Sequence, residues 1–181
     1  MKNITKYIHL WEKLTINSFQ TALTNRLSAG MFFVAKLLRF VFFLIFLISL
    51  FARTEFLASY TVLQTIFFFL TYNIVDTATQ LFYREVYRFR PMVVSGDFDL
   101  VLVKPTNPLF RALAGGADPL DLLMMIPYIG ALVYVASLLN SVNIANISLY
   151  FLLLLNGFLL ATGFHILVLA LAIVTTEIDH A

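Results

Sequence analysis

No cysteine occurs among the 181 residues, which excludes disulfides, thiolate metal sites and a cysteine nucleophile. Charge is scarce: 12% of the residues are Asp, Glu, Lys or Arg, against about 25% in a soluble domain. So little charge cannot cover a water-facing surface. The net charge of +2 comes from scattered basic residues, and this gives no footprint for nucleic acid. None of the seven glycines precedes a Lys-Ser/Thr pair, so the chain lacks a G-x-x-x-x-G-K-[ST] loop, whose backbone amides would cradle phosphates. ATP hydrolysis by that route is excluded, and energy must come from a partner. The opening residues hold Lys2, Lys6, Lys13 and Arg26 but neither an apolar core nor a small-residue cleavage site, so no signal peptide is expected there.

What the chain has in excess is apolar surface. It is 61% hydrophobic, carries 19 phenylalanines and has a mean hydropathy of +0.90. Lipid is the expected solvent for much of it, and helices satisfy their own backbone there. The reading is an all-α polytopic membrane protein with an interfacial helix over 1–28 and a single transmembrane domain over 29–181.

Residues 4–26 repeat with a helical period. Ile4, Tyr7, Ile8, Trp11, Leu14, Phe19 and Ala22 share one face; Lys2, Lys6, His9, Lys13, Asn17 and Gln20 share the other. This predicts an amphipathic helix lying on the membrane, with Trp11 at headgroup depth and the lysines toward anionic lipid. A soluble helix packed on another domain has the same pattern, but the chain has no soluble domain to receive it.

Four spans are predicted, at about 31–51, 56–75, 119–139 and 148–175. Lys36 and Arg39 lie in the first half of the first span and are expected to snorkel toward the near interface. Arg53 to Glu55 form a tight link. In the second span, the polar Gln64, Thr65 and Asn73 should face protein rather than lipid. The link "NSVNIANI" (140–147) carries no charge.

Between the second and third spans, residues 76–118 are polar. "DTATQLFYREVYRFRP" continues as a helix, with Leu81, Phe82, Val86 and Phe89 on one side, until Pro91 stops it. Gly96, Pro105 and Pro108 then break any long element. "DFDLVLV" reads equally as a short strand or a helical turn. With the N-terminus inside, eleven of the twelve Lys and Arg residues fall on the cytoplasmic side and only Arg53 falls outside. The positive-inside rule thus makes 76–118 a cytoplasmic loop.

The stretch "FYREVYRFRPMVVSGDFDLVLVKPTNPLFR" followed by "GGADPLDL", with a later "TTEIDHA", resembles the permease subunit of type-2 ATP-binding-cassette transporters, in a large bacterial branch. The matching pattern is Gly96, Asp99, Leu102, Lys104 and Pro105: a glycine, an acid three residues on, and an apolar run ending in Lys-Pro. The resemblance covers most of the chain. It implies an export-type membrane subunit of six spans, paired with a separate ATPase that binds the ATP. Against six spans, the four read here are expected to be a C-terminally truncated set. Four spans cannot readily enclose a path for a sizeable solute, so a homodimer or a heterodimer with a related permease is expected. The 76–118 segment is expected to dock the ATPase through Arg88, Arg90, Gly96, Asp99, Lys104 and Pro105.

Other groups have rival readings. Asp97 with Asp99, or Asp118 with Asp121, can be read as acid/base or metal pairs, which would make a membrane-embedded lipid-modifying enzyme. The simpler reading has Asp118 as the N-cap of the third span with Pro119 at N1, Asp121 as a favourable charge in its first turn, and Asp97 as a turn residue. A non-transporting scaffold is a third alternative. Gln64, Asn73 and His165 are the pathway candidates, since ionisable and polar residues within spans are functional by default; a neutral His165 bonded to a neighbouring helix is the simpler account. Glu177, Asp179 and His180 lie close enough in sequence to ligate a metal, but no metal is expected. Residues 114–118, "AGGAD", read as a helix-breaking turn.

Overall fold

A computed structural model describes residues 2–52, 59–139 and 143–178. The Arg53 to Glu55 link, residues 56–58 of the expected second span, residues 140–142, and Asp179 and His180 lie outside the described residues, as does the side chain of Glu177. The described residues are 87% helical and no strand occurs among them, which makes the protein all-α.

Among the described residues eight helices follow one another: α1 (Lys2–Thr24), α2 (Arg26–Phe51), α3 (Val62–Tyr83), α4 (Val86–Val94), α5 (Asp97–Leu102), α6 (Pro108–Leu113), α7 (Pro119–Leu138) and α8 (Ile144–Ile178). Three of them are long and apolar enough to cross a membrane: Arg26–Phe51, Pro119–Leu138 and Ile144–Thr175. Of the four expected spans, the one at 56–75 has no counterpart in that set. The helix there begins at Val62, where Thr61 and Gln64 form a capping box, and runs on to Tyr83. Its second half carries Asn73, Asp76, Thr77 and Gln80, and these polar groups lower its hydropathy. Protein covers them instead: α3 packs on α7, α8 and α2, and buries Phe69, Leu70, Asn73, Ile74 and Thr77.

The spanning helices show the reverse pattern. Leu47 is the only buried residue of α2, and Phe42, Phe151, Leu160 and Phe164 are among many large apolar side chains left exposed on α2 and α8. Such surface is stable only against lipid or another apolar chain.

Two cores stand at different heights. One joins Ile74, Met124 and Tyr128 with Phe33 and Phe40, and Phe40 and Phe43 stack on Phe69 at 5.5 and 4.9 Å. The other joins Val86, Phe89, Ala112 and Leu169, with Phe98, Leu113 and Ala172 packed around them. At about 1.5 Å per residue α8 is roughly 50 Å long, well beyond the ~30 Å hydrocarbon layer. Toward its C-terminal end Leu169 and Ala172 receive α4 and α6.

Pro91 does not stop the helix as expected. It sits inside α4, and the interruption falls upstream, at residues 84–85. The ring removes the N–H that would bond the Tyr87 carbonyl and crowds that carbonyl. The chain tightens there: the N–H groups of Tyr87 and Arg88 bond three residues back, to the Arg84 and Glu85 carbonyls, at 3.2 and 2.9 Å.

The amphipathic α1 packs on its own chain. Trp11, expected at headgroup depth, stacks on Phe82 at 5.8 Å, and Tyr7 packs on Phe110 at 4.7 Å. Thr15 accepts the Ala117 N–H at 3.1 Å, and Tyr7 accepts the Asn107 N–H at 3.1 Å. Ile4, Ile8 and Phe19 of the same predicted face stay exposed, with Ile16 and Leu23. Residues 114–118 form no helix and pass close against α1. A side chain on Gly116 would collide with the Leu14–Thr15 backbone. Gly116→Ala is therefore expected to cost about 1–3 kcal/mol and to loosen α1. The single tryptophan, Trp11, reports this: a water-soluble quencher should reach it more readily in the variant, and unchanged quenching would contradict the docking.

Candidate functional site

Two polar constructions occupy one end of the bundle, where α2 and α7 begin and α3 ends. The first is a charge cluster. Lys36 of α2 pairs with Asp121 of α7, and Arg84, just past α3, pairs with Asp118 and reaches Asp121 at 3.5 Å. Beside them Arg39 lies 3.4 Å from Asp76, which also accepts the Gln80 amide at 2.9 Å. Asp121 is only 1% exposed.

Lys36 and Arg39 thus do not simply snorkel. Acids of α3 and α7 meet them, so each cation is compensated by a carboxylate where it stands. Asp118 takes its expected place as N-cap, accepting the Leu120 N–H at 2.7 Å ahead of Pro119. Asp121 does more than charge the first turn, since it receives cations from two other segments. The cavity among Lys36, Asn73, Asp76, Asp121 and Tyr128 is about 30 Å³. That is room for about one water, and none for a solute.

The second construction is the α4–α5–α6 cap. Gly96 takes φ 78°, the left-handed conformation that glycine adopts without a Cβ penalty. This turns the chain out of α4 and into α5, so "DFDLVL" is helix and not strand. Asp97 accepts the Ser95 hydroxyl at 2.7 Å, as a turn residue should. The inner side of α5 seats Val101 and Phe98, the latter edge-on to Phe89 at 4.9 Å. The outer side shows Asp99, Leu100 and Lys104, with Val103 beside them 81% exposed. Pro105 follows; its carbonyl accepts the Lys6 ammonium at 2.5 Å.

All six expected docking residues therefore lie on this cap, four of them, Gly96, Asp99, Lys104 and Pro105, around α5. Arg88 and Arg90 stand exposed on α4, with Arg88 3.5 Å from Glu85. Arg88, Asp97 and Lys104 line one groove of about 490 Å³ between α4, α5 and α6. Sequence reasoning missed Leu100 and Val103, because an apolar residue in a greasy chain carries no mark of facing water.

The pathway candidates do not converge. Gln64 belongs to the α3 capping box, its side chain accepting the Thr61 N–H at 2.9 Å. Asn73 is buried and donates to the Phe69 carbonyl at 2.7 Å beside the charge cluster. His165 is half-buried on α8. Its Nδ1 lies 2.7 Å from the Ala161 carbonyl, which only accepts, so Nδ1 carries the proton and Nε2 faces the Tyr87 hydroxyl at 3.4 Å. It ties α8 to α4, as the simpler account expected. Tyr83 ties α3 to α8 through Thr162 at 2.9 Å.

A family model described as "ABC-2 family transporter protein" matches residues 36–181. No curated protein and no solved structure matches the chain.

Proposed function

The chain belongs to the ABC-2 transporter family, a family of transport permeases that in general pair with an ATP-binding subunit; from that premise we propose that its α4–α5–α6 cap is the docking surface for a separate ATPase driving export. It is a multi-pass membrane protein; we place it in the inner membrane with the N-terminus cytoplasmic, because eleven of twelve Lys and Arg residues then lie inside. The observation that carries the docking reading is the build of α5. It is a short helix turned outward at Gly96, seated on Phe89, and showing Asp99, Leu100, Val103 and Lys104 to water. Apolar residues rimmed by charges of both signs suit a protein partner.

The packing gives the motion a route. ATP-driven closure of the partner displaces α5. Phe98 passes the push to Phe89 of α4, and Phe89 and Ala112 bear on Leu169 of α8. The Lys36–Asp121–Arg84 cluster meanwhile holds α2, α3 and α7 together at the same level. Displacing α8 against that clamped trio is the change between inward- and outward-facing arrangements. A second permease, identical or related, covers the apolar faces of α2 and α8 and completes the path.

The test is copurification. A neighbouring reading frame is expected to encode a P-loop ATPase; the permease expressed with it should retain that subunit through a detergent column, and the cap alone should be the part protected from protease. An ATPase that never associates, or one that associates elsewhere, overturns the assignment.

A further inference from the structure

We propose that the hollow between α1, α2 and the start of α7 binds the phosphate headgroup of a net-anionic phospholipid. The hollow is about 360 Å³, and Arg84, Arg88, Arg111, Glu85 and Asp118 line it, a size that suits a small ligand.

Its height comes first. Asn25 and Ser28, where α2 begins, and Pro119 and Leu120, where α7 begins, are part of the wall. Both helices are long and apolar enough to cross a membrane. Whichever way the protein faces, the hollow therefore sits at the end of two spans, at the level of lipid phosphates.

Charge comes next. Three guanidiniums face two carboxylates, which leaves a positive excess. Arg84 is held by Asp118 and Asp121, and Arg88 is 3.5 Å from Glu85. Among the described residues no carboxylate pairs with Arg111, and its Nη1 is buried without a hydrogen-bond partner. A buried guanidinium N–H without an acceptor is costly. A phosphate offers several acceptor oxygens in the geometry a guanidinium fork matches, and basic pockets between spans take such headgroups.

The rest of the wall separates a lipid from a free phosphate. Leu14, Ala22, Ala29 and Phe32 add apolar surface to the α1–α2 wall, among Asn17, Ser18, Thr21, Asn25 and Ser28. Phe32 is itself exposed, next to the exposed Leu27 and Met31 of α2. An inorganic ion has no use for that apolar surface. A lipid lays its acyl chains along it. This inference does not depend on the docking of an ATPase.

Native mass spectrometry of the full-length chain tests it, with phosphatidylglycerol, phosphatidylcholine and inorganic phosphate as probes. The wild type should retain one phosphatidylglycerol about tenfold more tightly than phosphatidylcholine, and Arg111→Gln should weaken that retention about tenfold. Arg111→Lys should recover part of it. Lys13→Gln, an exposed cation outside the hollow, should change nothing. Should Arg111→Gln misfold, Arg88→Gln at the exposed rim carries the same test. Equal retention of the two lipids overturns the proposal, as does equal loss in the Lys13→Gln control. Displacement of the lipid by millimolar inorganic phosphate overturns the lipid assignment.

Discussion

Replacing Asp121 by alanine is expected to destabilise the protein by about 3–5 kcal/mol, the usual cost of removing one partner from a buried ion pair. The carboxylate is almost fully enclosed and takes up Lys36 from α2 and Arg84 from the end of α3. Its loss leaves Lys36 in a small cavity with Asn73, Tyr128 and Met124, where the one other carboxylate, Asp76, is taken up by Arg39. In a thermal melt of detergent-solubilised protein this should lower the midpoint by on the order of 10 °C. Asp121→Asn keeps the shape but not the charge, and should lose nearly as much. The double variant Lys36→Met with Asp121→Leu should recover a good part of the loss, because replacing both members of a buried pair by apolar groups removes the uncompensated charge. If Asp121→Ala melts with the wild type, the cluster does not hold α2, α3 and α7 together.

The second large effect is expected at the cap, in the double variant Gly96→Val with Asp99→Ala. A β-branched residue at φ 78° is strained by about 1–2 kcal/mol, so the turn that aims α5 outward reshapes. Asp99 lies on the exposed side of α5 and holds none of the core. Abundance in the membrane should be unchanged, since α2, α3, α7 and α8 are untouched. Retention of the ATPase subunit should fall roughly tenfold or more, as for loss of central interface residues, and coupled transport should be abolished. Normal retention and transport in a correctly inserted variant would remove the coupling role of this segment.

Much of the fold was legible because its signals are local. Asp118-Pro119 announced a helix start, Gly96 announced a turn, and the length of the apolar runs announced spans. A local signal at Gln64 was also present: Thr61 and Gln64 have capping-box spacing, yet the apolar residues around them made Gln64 look like a polar group within a span. In the structure Gln64 caps α3 together with Thr61. The charge cluster was not legible, because Lys36 and Asp121 are 85 positions apart and Arg39 and Asp76 are 37 apart. Periodicity says that a residue faces something, not what it faces.

The same limit applies to α1. Its apolar face has one periodicity whether lipid or protein covers it, and Trp11 meets Phe82 only because residues 114–117 pass so close to Leu14 and Thr15. Pro91 was misplaced for a related reason. The ring blocks a bond four residues back, so the disturbance appears upstream of the proline and not at it.

The central claim is that the α5 cap lies on the cytoplasmic face and is covered by an ATPase. The chain has no cysteine, so a lone thiol at Val103, the most exposed large apolar residue of the cap region with 81% of its surface open, reports on that surface alone. A membrane-impermeant maleimide applied to the Val103→Cys protein should leave intact cells unlabelled. It should label inverted vesicles fully once the ATPase is stripped off, and poorly while the ATPase is bound. Labelling in intact cells would contradict the account.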